Sequence, residues 1–155
     1  MKRPGFGLLQ AILIIVLISG ILLIALKYAK VSVKQTKDIY LKESVELFMN
    51  SAVELSLLAI SGYRRNNIDG CLSQVHITSP NKRFIADVNI TDYYLLKSSN
   101  DSIMCKKGFG YRVHDIDTEE SQGMVMLEVT AETNSTHPKN HKTQIILKRR
   151  TLQRP

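Results

Sequence analysis

The chain has 155 residues, of which 44% are hydrophobic and 23% are charged, and its formal net charge at pH 7 is +7. This length excludes two domains beside a membrane segment and allows one small domain. The sequence pI of about 9.5 is compatible with a basic surface that meets nucleic acid or the headgroups of anionic lipids.

The first 26 residues contain the most apolar stretch of the chain. Lys2 and Arg3 form a short basic leader, and no residue from Phe6 to Leu26 is charged. As a helix this run would be about 32 Å long at roughly 1.5 Å per residue, and a bilayer core is about 30 Å thick. Because backbone groups in lipid must be satisfied within the segment, the sequence predicts one transmembrane helix over residues 6–26.

Two common kinds of apolar N-terminal segment, a secretory signal peptide and a plain membrane anchor, explain this pattern incompletely. A secretory signal peptide has an apolar core of about 7–15 residues followed by a small-residue cleavage site. Here the apolar run is longer, and no such site precedes Lys27. A plain single-pass anchor fits the length, but it gives no reason for Gly5-Phe6 or for a polar Gln10 so early in the span. The anchor stays as an alternative.

The residues around this junction resemble a processing signal. The sequence Lys-Arg-Pro-Gly-Phe-Gly-Leu-Leu-Gln, residues 2–10, is similar to the class III signal of type IV pilin-like proteins, which include pilus subunits and the pseudopilins of type II secretion systems. In that family a prepilin peptidase cuts between the Gly and the Phe, and the new amino terminus is commonly methylated. The resemblance implies a leader over residues 1–5 and cleavage between Gly5 and Phe6. Glycine suits this position because it has no side chain to obstruct a protease.

Gln10 departs from the family pattern. Most members carry Glu five residues after the cut, where its carboxylate is thought to attract the amino terminus of a neighbouring subunit. Glutamine donates and accepts hydrogen bonds, but it has no charge to neutralise an ammonium group in lipid. Some minor pilins and minor pseudopilins also lack this Glu and are expected at a filament tip. The resemblance therefore implies a minor subunit, and a tolerated polar residue near the interface is the alternative.

The charges that flank the span give conflicting indications of its orientation. By the positive-inside rule, the residues after the span would place the carboxyl side in the cytoplasm. These residues are Lys27, Lys30, Lys34 and Lys37. The pilin-like signal implies the reverse: a single span in the bacterial cytoplasmic (inner) membrane, with the head outside the cytoplasm or within a pilus or pseudopilus. We expect the second orientation.

An amphipathic helix is predicted to continue the span over residues 27–62. No Gly or Pro occurs from Ile21 to Ser61, and apolar residues recur at steps of three and four, as in a helix with one apolar face. The first apolar row is Leu41, Val45, Phe48, Ala52, Leu55 and Ala59, and the second is Met49, Val53, Leu57 and Ile60. Gly62 is expected to end the helix in a left-handed conformation.

The remaining residues, 63–155, are predicted to form a β domain. A turn-rich loop at residues 64–70 is followed by short β-rich runs joined by polar turns. The predicted strands cover residues 72–77, 84–90, 93–96, 103–105, 111–116, 124–130 and 144–148. Such strands favour a small antiparallel β-meander whose apolar face covers the long N-terminal helix. The predicted fold class is α+β and pilin-like.

The two cysteines, Cys71 and Cys105, both lie in the predicted head. An even number in an exported domain is compatible with one disulfide. In the chain-entropy model, closing this loop would contribute about 4 kcal/mol. Two free thiols are the alternative. A metal site is not expected, because the spacing matches no metal motif and no local cluster supplies four ligands.

The sequence contains little catalytic chemistry. No phosphate-binding glycine loop, nucleophile elbow or paired-carboxylate signature is found. Pro138 argues against a helix that would bring His137 and His141 to one metal, and His76 and His114 share no metalloprotease spacing with them. The acidic cluster Asp115, Asp117, Glu119 and Glu120 lacks the calcium-loop pattern and is interpreted as a solvated turn. We expect a protein that is not an enzyme and that has no metal or cofactor.

Two further patterns concern modification and nucleic acid. The sequons that begin at Asn89 and Asn134 each follow an acid by two residues, Asp87 and Glu132. This extended form resembles the acceptor site of some bacterial N-glycosylation systems, and chance matches are the alternative. A basic tail would reach DNA phosphates in a competence-type subunit, and a solvated tail is the alternative. This tail consists of Lys148, Arg149, Arg150 and Arg154.

These patterns predict a minor pilin-like subunit or pseudopilin. Its span would bundle with the helices of partner subunits in the lipid bilayer, and Ser19-Gly20 would allow close approach of a neighbouring helix. The head would present a surface to a partner or cargo. The alternatives are an unprocessed single-pass protein with a small binding domain and a competence-type minor pilin for DNA uptake.

Overall fold

The structure, a computed structural model, describes residues 5–64, 70–97, 99–106, 108–136 and 144–155, apart from the side chain of Phe6. Helix α1 spans Gly5–Gly62. The chain divides into two compact units, Met1–Tyr40 and Leu41–Pro155, and α1 contributes to both. The predicted long N-terminal helix is confirmed.

The described part of the first unit is helical throughout. The large apolar side chains from Leu8 to Leu26 are 46–69% exposed. The helix satisfies its own backbone groups, as a lipid environment requires. The helix is long and apolar enough to cross a membrane, and its apolar window is not buried within the structure, unlike the core helix of a soluble protein.

The second unit, the head, is a five-stranded sheet covered on one face by the last part of α1. The strands are β1 (Gln74–Thr78), β2 (Phe84–Leu96), β3 (Arg112–Ile116), β4 (Met124–Thr133) and β5 (Ile146–Gln153). A short helix, α2 (Asn100–Cys105), lies between β2 and β3, and a 3₁₀ turn at Glu119–Ser121 precedes β4. The α+β class is confirmed.

The central strand β2 is long enough to have two neighbours along one edge. Its segment Ile85–Asn89 pairs antiparallel with β1, and its segment Asp92–Leu96 pairs with β3 in parallel. Its other edge pairs antiparallel with β4, which in turn pairs antiparallel with β5. The register along β4 shifts between Ile90 and Asp92, and such an irregularity re-aims the side chains around it.

One apolar core lies between α1 and the inner face of the sheet. The helix contributes Leu41, Val45, Met49, Ala52, Val53 and Ile60, and the two central strands contribute Phe84, Ala86, Val88, Ile90, Tyr93, Leu95, Val125, Leu127, Val129 and Ala131. The rings of Phe48 and Phe84 are 5.8 Å apart at their centroids. Each fully buried Val, Leu or Ile side chain contributes about 1.5–3 kcal/mol relative to an exposed one, so this core holds the helix on the sheet.

Part of the predicted helix stripe is wrong. Leu55 is 51% exposed, and the neighbouring Ser56 is buried instead. The Ser56 hydroxyl donates a hydrogen bond to the Val53 carbonyl at 2.7 Å, which lets a polar side chain occupy the core face. Gly62 is the last residue of α1, but it is not among the glycines with positive φ. The expected left-handed cap is therefore wrong.

The predicted β-meander is wrong in three places. Strand β3 pairs in parallel, which requires a crossover, and α2 lies in that connection. The predicted strand 103–105 belongs to α2, because Ser99 caps this helix by accepting a hydrogen bond from the Ser102 backbone N–H at 3.1 Å. The predicted strands 84–90 and 93–96 are one strand, because Thr91-Asp92 lies at a register shift rather than in a turn.

Candidate functional surfaces of the helix and the head

The predicted processing site lies at the edge of the described residues. Gly5, the first of them, is in α1. Residues 1–4 and the side chain of Phe6 lie outside the described residues. Cleavage between Gly5 and Phe6 therefore stays a prediction.

The three predicted assembly residues lie on the exposed span. Gln10 is exposed, and no side chain surrounds Gly20, because a Cβ added there would meet no atom within 4 Å. The Ser19 hydroxyl donates to the Val16 carbonyl at 2.9 Å, so its polar group is already satisfied within the helix. At about 100° per residue, Ser19 lies roughly opposite Gln10 around the helix. Gln10 and Ser19 therefore lie on opposite sides of the span.

A second exposed apolar face occurs on the part of α1 that belongs to the head. Leu47, Leu55 and Leu58 are 67%, 51% and 69% exposed. At about 100° per residue they lie within roughly 80° of one another around the helix. The sheet covers the other side of the helix, so these leucines form a ridge, the outer leucine ridge, that no part of the described head covers.

The two cysteines are joined in a disulfide, and their Cα atoms are 4.8 Å apart. The hydroxyl of Tyr111 lies between their backbones: it accepts a hydrogen bond from the Cys71 N–H at 2.6 Å and donates one to the Cys105 carbonyl at 2.9 Å. A Cβ on Gly108 would lie 1.8 Å from this hydroxyl. Glycine is therefore required there for the Tyr111 side chain to reach both cysteines.

The environment of Tyr111 keeps its hydroxyl protonated. Burial raises the pKa of Tyr111 above its ordinary value of 10.0, which outweighs the opposite effect of the Cys71 hydrogen bond. Its ring also meets the ring of Tyr93 edge-on, with centroids 5.0 Å apart. Sequence analysis missed this residue. The available signal was a tyrosine directly after Gly110 and six residues after Cys105, a pattern that is compatible with many loops.

The most densely charged cluster of the head surrounds Asp92, whose side chain is 2% exposed. One carboxylate oxygen lies 2.8 Å from Arg112 Nε and 2.9 Å from His114 Nε2. The other accepts hydrogen bonds from the Thr91 hydroxyl at 2.9 Å and from the Arg150 guanidinium at 3.3 Å. Asp92 lies on β2, Arg112 and His114 lie on β3, and Arg150 lies on β5. The cluster thus links three strands through one buried charge.

The partners of Asp92 determine its protonation. Burial raises the pKa of the Asp92 carboxyl, but hydrogen bonds from His114, Thr91 and Arg112, together with the positive charge of Arg112, outweigh burial and lower the pKa to about 2. The carboxylate is therefore ionised at every physiological pH. A buried carboxylate with this number of donors is a stabilising element only while all its partners are present.

The basic segment near the C-terminus is a strand rather than a tail, which corrects the sequence-based interpretation. Arg149 and Arg150 lie in β5. Arg149 donates to Asn50 Oδ1 at 2.8 Å and to Glu46 Oε1 at 3.1 Å, both on α1. Arg150 is bound to Asp92. Two of the cations that were candidates for DNA phosphates therefore have carboxylate partners in the head.

The predicted acidic cluster and the histidines form no metal site in the part of the chain that the structure describes. Asp115 binds the Lys106 ammonium and accepts a hydrogen bond from the Ser102 hydroxyl, which lower the pKa of its carboxyl. His76 contacts Asp87 at 2.6 Å on the surface. His137 and His141 lie outside the described residues.

Comparison of the chain with protein-family models, with curated proteins and with solved structures finds no match.

Proposed function

We propose that the protein is a minor pilin-like subunit or pseudopilin of a type II secretion or type IV pilus assembly. In this proposal it is cut between Gly5 and Phe6, held in the bacterial cytoplasmic membrane with its head outside, and assembled through its N-terminal helix. The observation that carries the proposal is α1, a single helical element that exposes an apolar span and contributes its last part to the core of the head.

A plain membrane anchor would not require this arrangement. An anchor needs a span and a linker, and a flexible linker holds a domain near a membrane as well as a helix does. Here the helix of the span also supplies the core residues Leu41, Val45 and Met49 of the head. One helix that supplies both the span and part of the head core is also what pilin-like subunits have.

The outer leucine ridge supports the same proposal. Leu47, Leu55 and Leu58 expose apolar area to water in the isolated chain, and exposed apolar patches commonly mark interaction sites. A neighbouring pilin-like helix would cover this ridge and remove it from water. In the span, close contact at Gly20 would add dispersion contacts where no hydrophobic driving force between helices exists.

Gln10 supports a minor subunit within this class. It is exposed on the span, where a neutral amide is less costly in lipid than a carboxylate. It can form a hydrogen bond with a neighbouring helix but cannot neutralise an ammonium group. This chemistry suits a subunit with no neighbour ahead of it.

The test is processing in a bacterium that expresses the full chain with a prepilin peptidase. Intact mass spectrometry should show loss of residues 1–5 in the wild type, and Gly5→Leu should abolish this loss. Gly7→Ala is the matched control: a Cβ at Gly7 meets no atom within 4 Å, so cleavage should be unchanged. A wild-type chain that retains Met1 while a control pilin in the same cell is cut would overturn the proposal.

The DNA-uptake alternative has less support. Arg149 and Arg150 are held in ion pairs with Glu46 and Asp92, so binding phosphates would require breaking those pairs. Lys148 and Arg154 are exposed, but two cations supply little of the counterion release on which DNA affinity depends.

A further inference from the structure

Three Asn-x-Ser/Thr sequences occur in the chain, and their surroundings differ. They begin at Asn89, Asn100 and Asn134. An acid stands two residues before Asn89 and Asn134, whereas a serine stands there before Asn100. Two of the three therefore match the extended acceptor form with an acid, and the third serves as an internal comparison.

Asn89 lies in the middle of the central strand β2. Its backbone is paired with Gln74 of β1 on one side and with Glu128 of β4 on the other. An enzyme that takes its acceptor as an extended segment into an active-site groove would have to remove β2 from the sheet. Opening a core strand costs about as much as global unfolding. Asn89 is therefore accessible to such an enzyme only before the head folds.

Asn100 is held in a helix. It is the first residue of α2, and Ser102, the third residue of its sequon, is 1% exposed. The Ser102 hydroxyl donates to Asp115 Oδ1 at 2.7 Å. An enzyme could reach this hydroxyl only by unfolding α2.

Asn134 follows the last residue of β4 and begins a surface turn. Ser135 and Thr136 are exposed. Asn134 Oδ1 accepts hydrogen bonds from the Thr136 backbone N–H at 3.0 Å and from the Thr136 hydroxyl at 2.6 Å. The amide oxygen and the hydroxyl, which both belong to the sequon, are thus already in contact at the surface. The amide nitrogen Nδ2 donates to the Lys82 carbonyl at 2.9 Å in an exposed hydrogen bond, which the enzyme must break. Glu132 is the next-to-last residue of β4 and is partly exposed, so an enzyme reaches it by opening only the end of a strand.

We propose that Asn134 is an N-glycosylation site of the folded head. The co-reactant is an oligosaccharide joined through a pyrophosphate to a membrane lipid, and the enzyme is an oligosaccharyltransferase on the outer side of the cytoplasmic membrane. Asn134 Nδ2 forms a bond to the anomeric carbon as the bond between that carbon and the phosphate oxygen breaks. The amide loses one proton to a base, and the lipid pyrophosphate leaves. No oxidation or reduction takes place.

Glycosylation at Asn134 rests on the proposed function, which places the head outside the cytoplasm. The experiment is therefore designed to test glycosylation and the proposed function separately. The full chain is produced in a bacterium that has a prepilin peptidase, an oligosaccharyltransferase and its lipid-linked oligosaccharide. Intact mass and peptide mapping locate the glycan, amino-terminal sequencing locates the processing site, and protease treatment of spheroplasts reports the location of the head.

The wild type should carry a glycan at Asn134 and none at Asn100. Asn134→Gln and Thr136→Val should lose it, whereas Thr136→Ser, which keeps the hydroxyl, should retain it. Glu132→Gln should lower its occupancy severalfold. Because these substitutions lie in a turn or at a strand end, the near-UV circular dichroism of the head should remain that of the wild type.

Distinct results overturn the two proposals. A chain that begins at Phe6, with a protease-sensitive head and an unmodified Asn134 in cells that glycosylate a control acceptor, overturns glycosylation and leaves the proposed function standing. A glycan found only at Asn89 also overturns the assignment. A head that is protected from protease in spheroplasts overturns both proposals.

Discussion

Replacing Asp92 by Asn tests whether the buried charge cluster stabilises the head. The substitution keeps the shape of the side chain and removes the charge that Arg112, His114 and Arg150 share. The pKa of the carboxyl falls from 3.8 to about 2 in the folded state. At about 1.4 kcal/mol for each pKa unit, this change corresponds to roughly 2 kcal/mol of stability at neutral pH.

The stabilisation from Asp92 should depend on pH. Because the folded-state pKa of Asp92 is below its ordinary value, the carboxylate contributes its full stabilisation above about pH 4 and loses it as the pH falls towards 2. The free energy of unfolding of Asp92→Asn should therefore be roughly 2 kcal/mol below that of the wild type at pH 6, and this difference should shrink by about that amount by pH 2.

The assay is urea unfolding of the full chain in detergent micelles, followed by near-UV circular dichroism, since the chain has six tyrosines and no tryptophan. Asp87→Asn is the matched control on the same strand, because the Asp87 side chain is 40% exposed and pairs with His76. Such a surface pair contributes about 0–1 kcal/mol. If the loss of stability in Asp92→Asn is equal at pH 6 and pH 2, or no larger than that in the control, the buried charge of Asp92 does not stabilise the head.

Three further predictions concern the disulfide region and the helix. Tyr111→Phe keeps the ring but leaves two buried backbone groups without their partner, so the free energy of unfolding should fall by about 1–3 kcal/mol in the same urea assay. Replacing both Cys71 and Cys105 by Ser opens the covalent loop and should cost about 4 kcal/mol, measured as a lower urea midpoint. Leu58→Lys should change head stability by no more than about 0.5 kcal/mol, because the side chain is 69% exposed. Leu58→Lys should nevertheless reduce the amount of partner pilin-like subunits that is crosslinked to the protein in the membrane. Val45→Ala is the opposite case: this side chain is buried in the core, so its loss should lower the stability of the head.

These predictions can each be contradicted. A Tyr111→Phe protein as stable as the wild type would mean that water replaces the hydroxyl between the cysteines. Unchanged stability of the double serine variant would contradict a disulfide in the native protein. Crosslinking of Leu58→Lys to partner subunits at the wild-type level would remove the outer leucine ridge from the assembly surface.

The long helix could be predicted from the sequence because its signals are local and strong. The charge-free run from Phe6 to Leu26 and the absence of Gly and Pro up to Ser61 favour one helix whatever the rest of the chain does. The sequence could not predict that Ser56 is buried in the core while Leu55 is exposed, because this depends on which face of the helix meets the sheet. A serine that bonds to its own helix backbone leaves no pattern in the sequence.

The sheet was harder to predict because its pairings join residues that are distant in sequence. Thr91-Asp92 has the composition of a turn, yet Asp92 stays inside β2, where Arg112, His114 and Arg150 from two other strands compensate its charge. Local propensity contains no information about those partners. For the same reason the parallel pairing of β3 was not foreseen.

Processing at Gly5-Phe6 is tested most directly by the mass and amino-terminal sequence of the protein isolated from its native membrane. We expect a chain that begins at Phe6 and carries a methyl group on its amino terminus. An intact Met1 in a membrane that contains the active prepilin peptidase would contradict it and would leave a single-pass anchored protein.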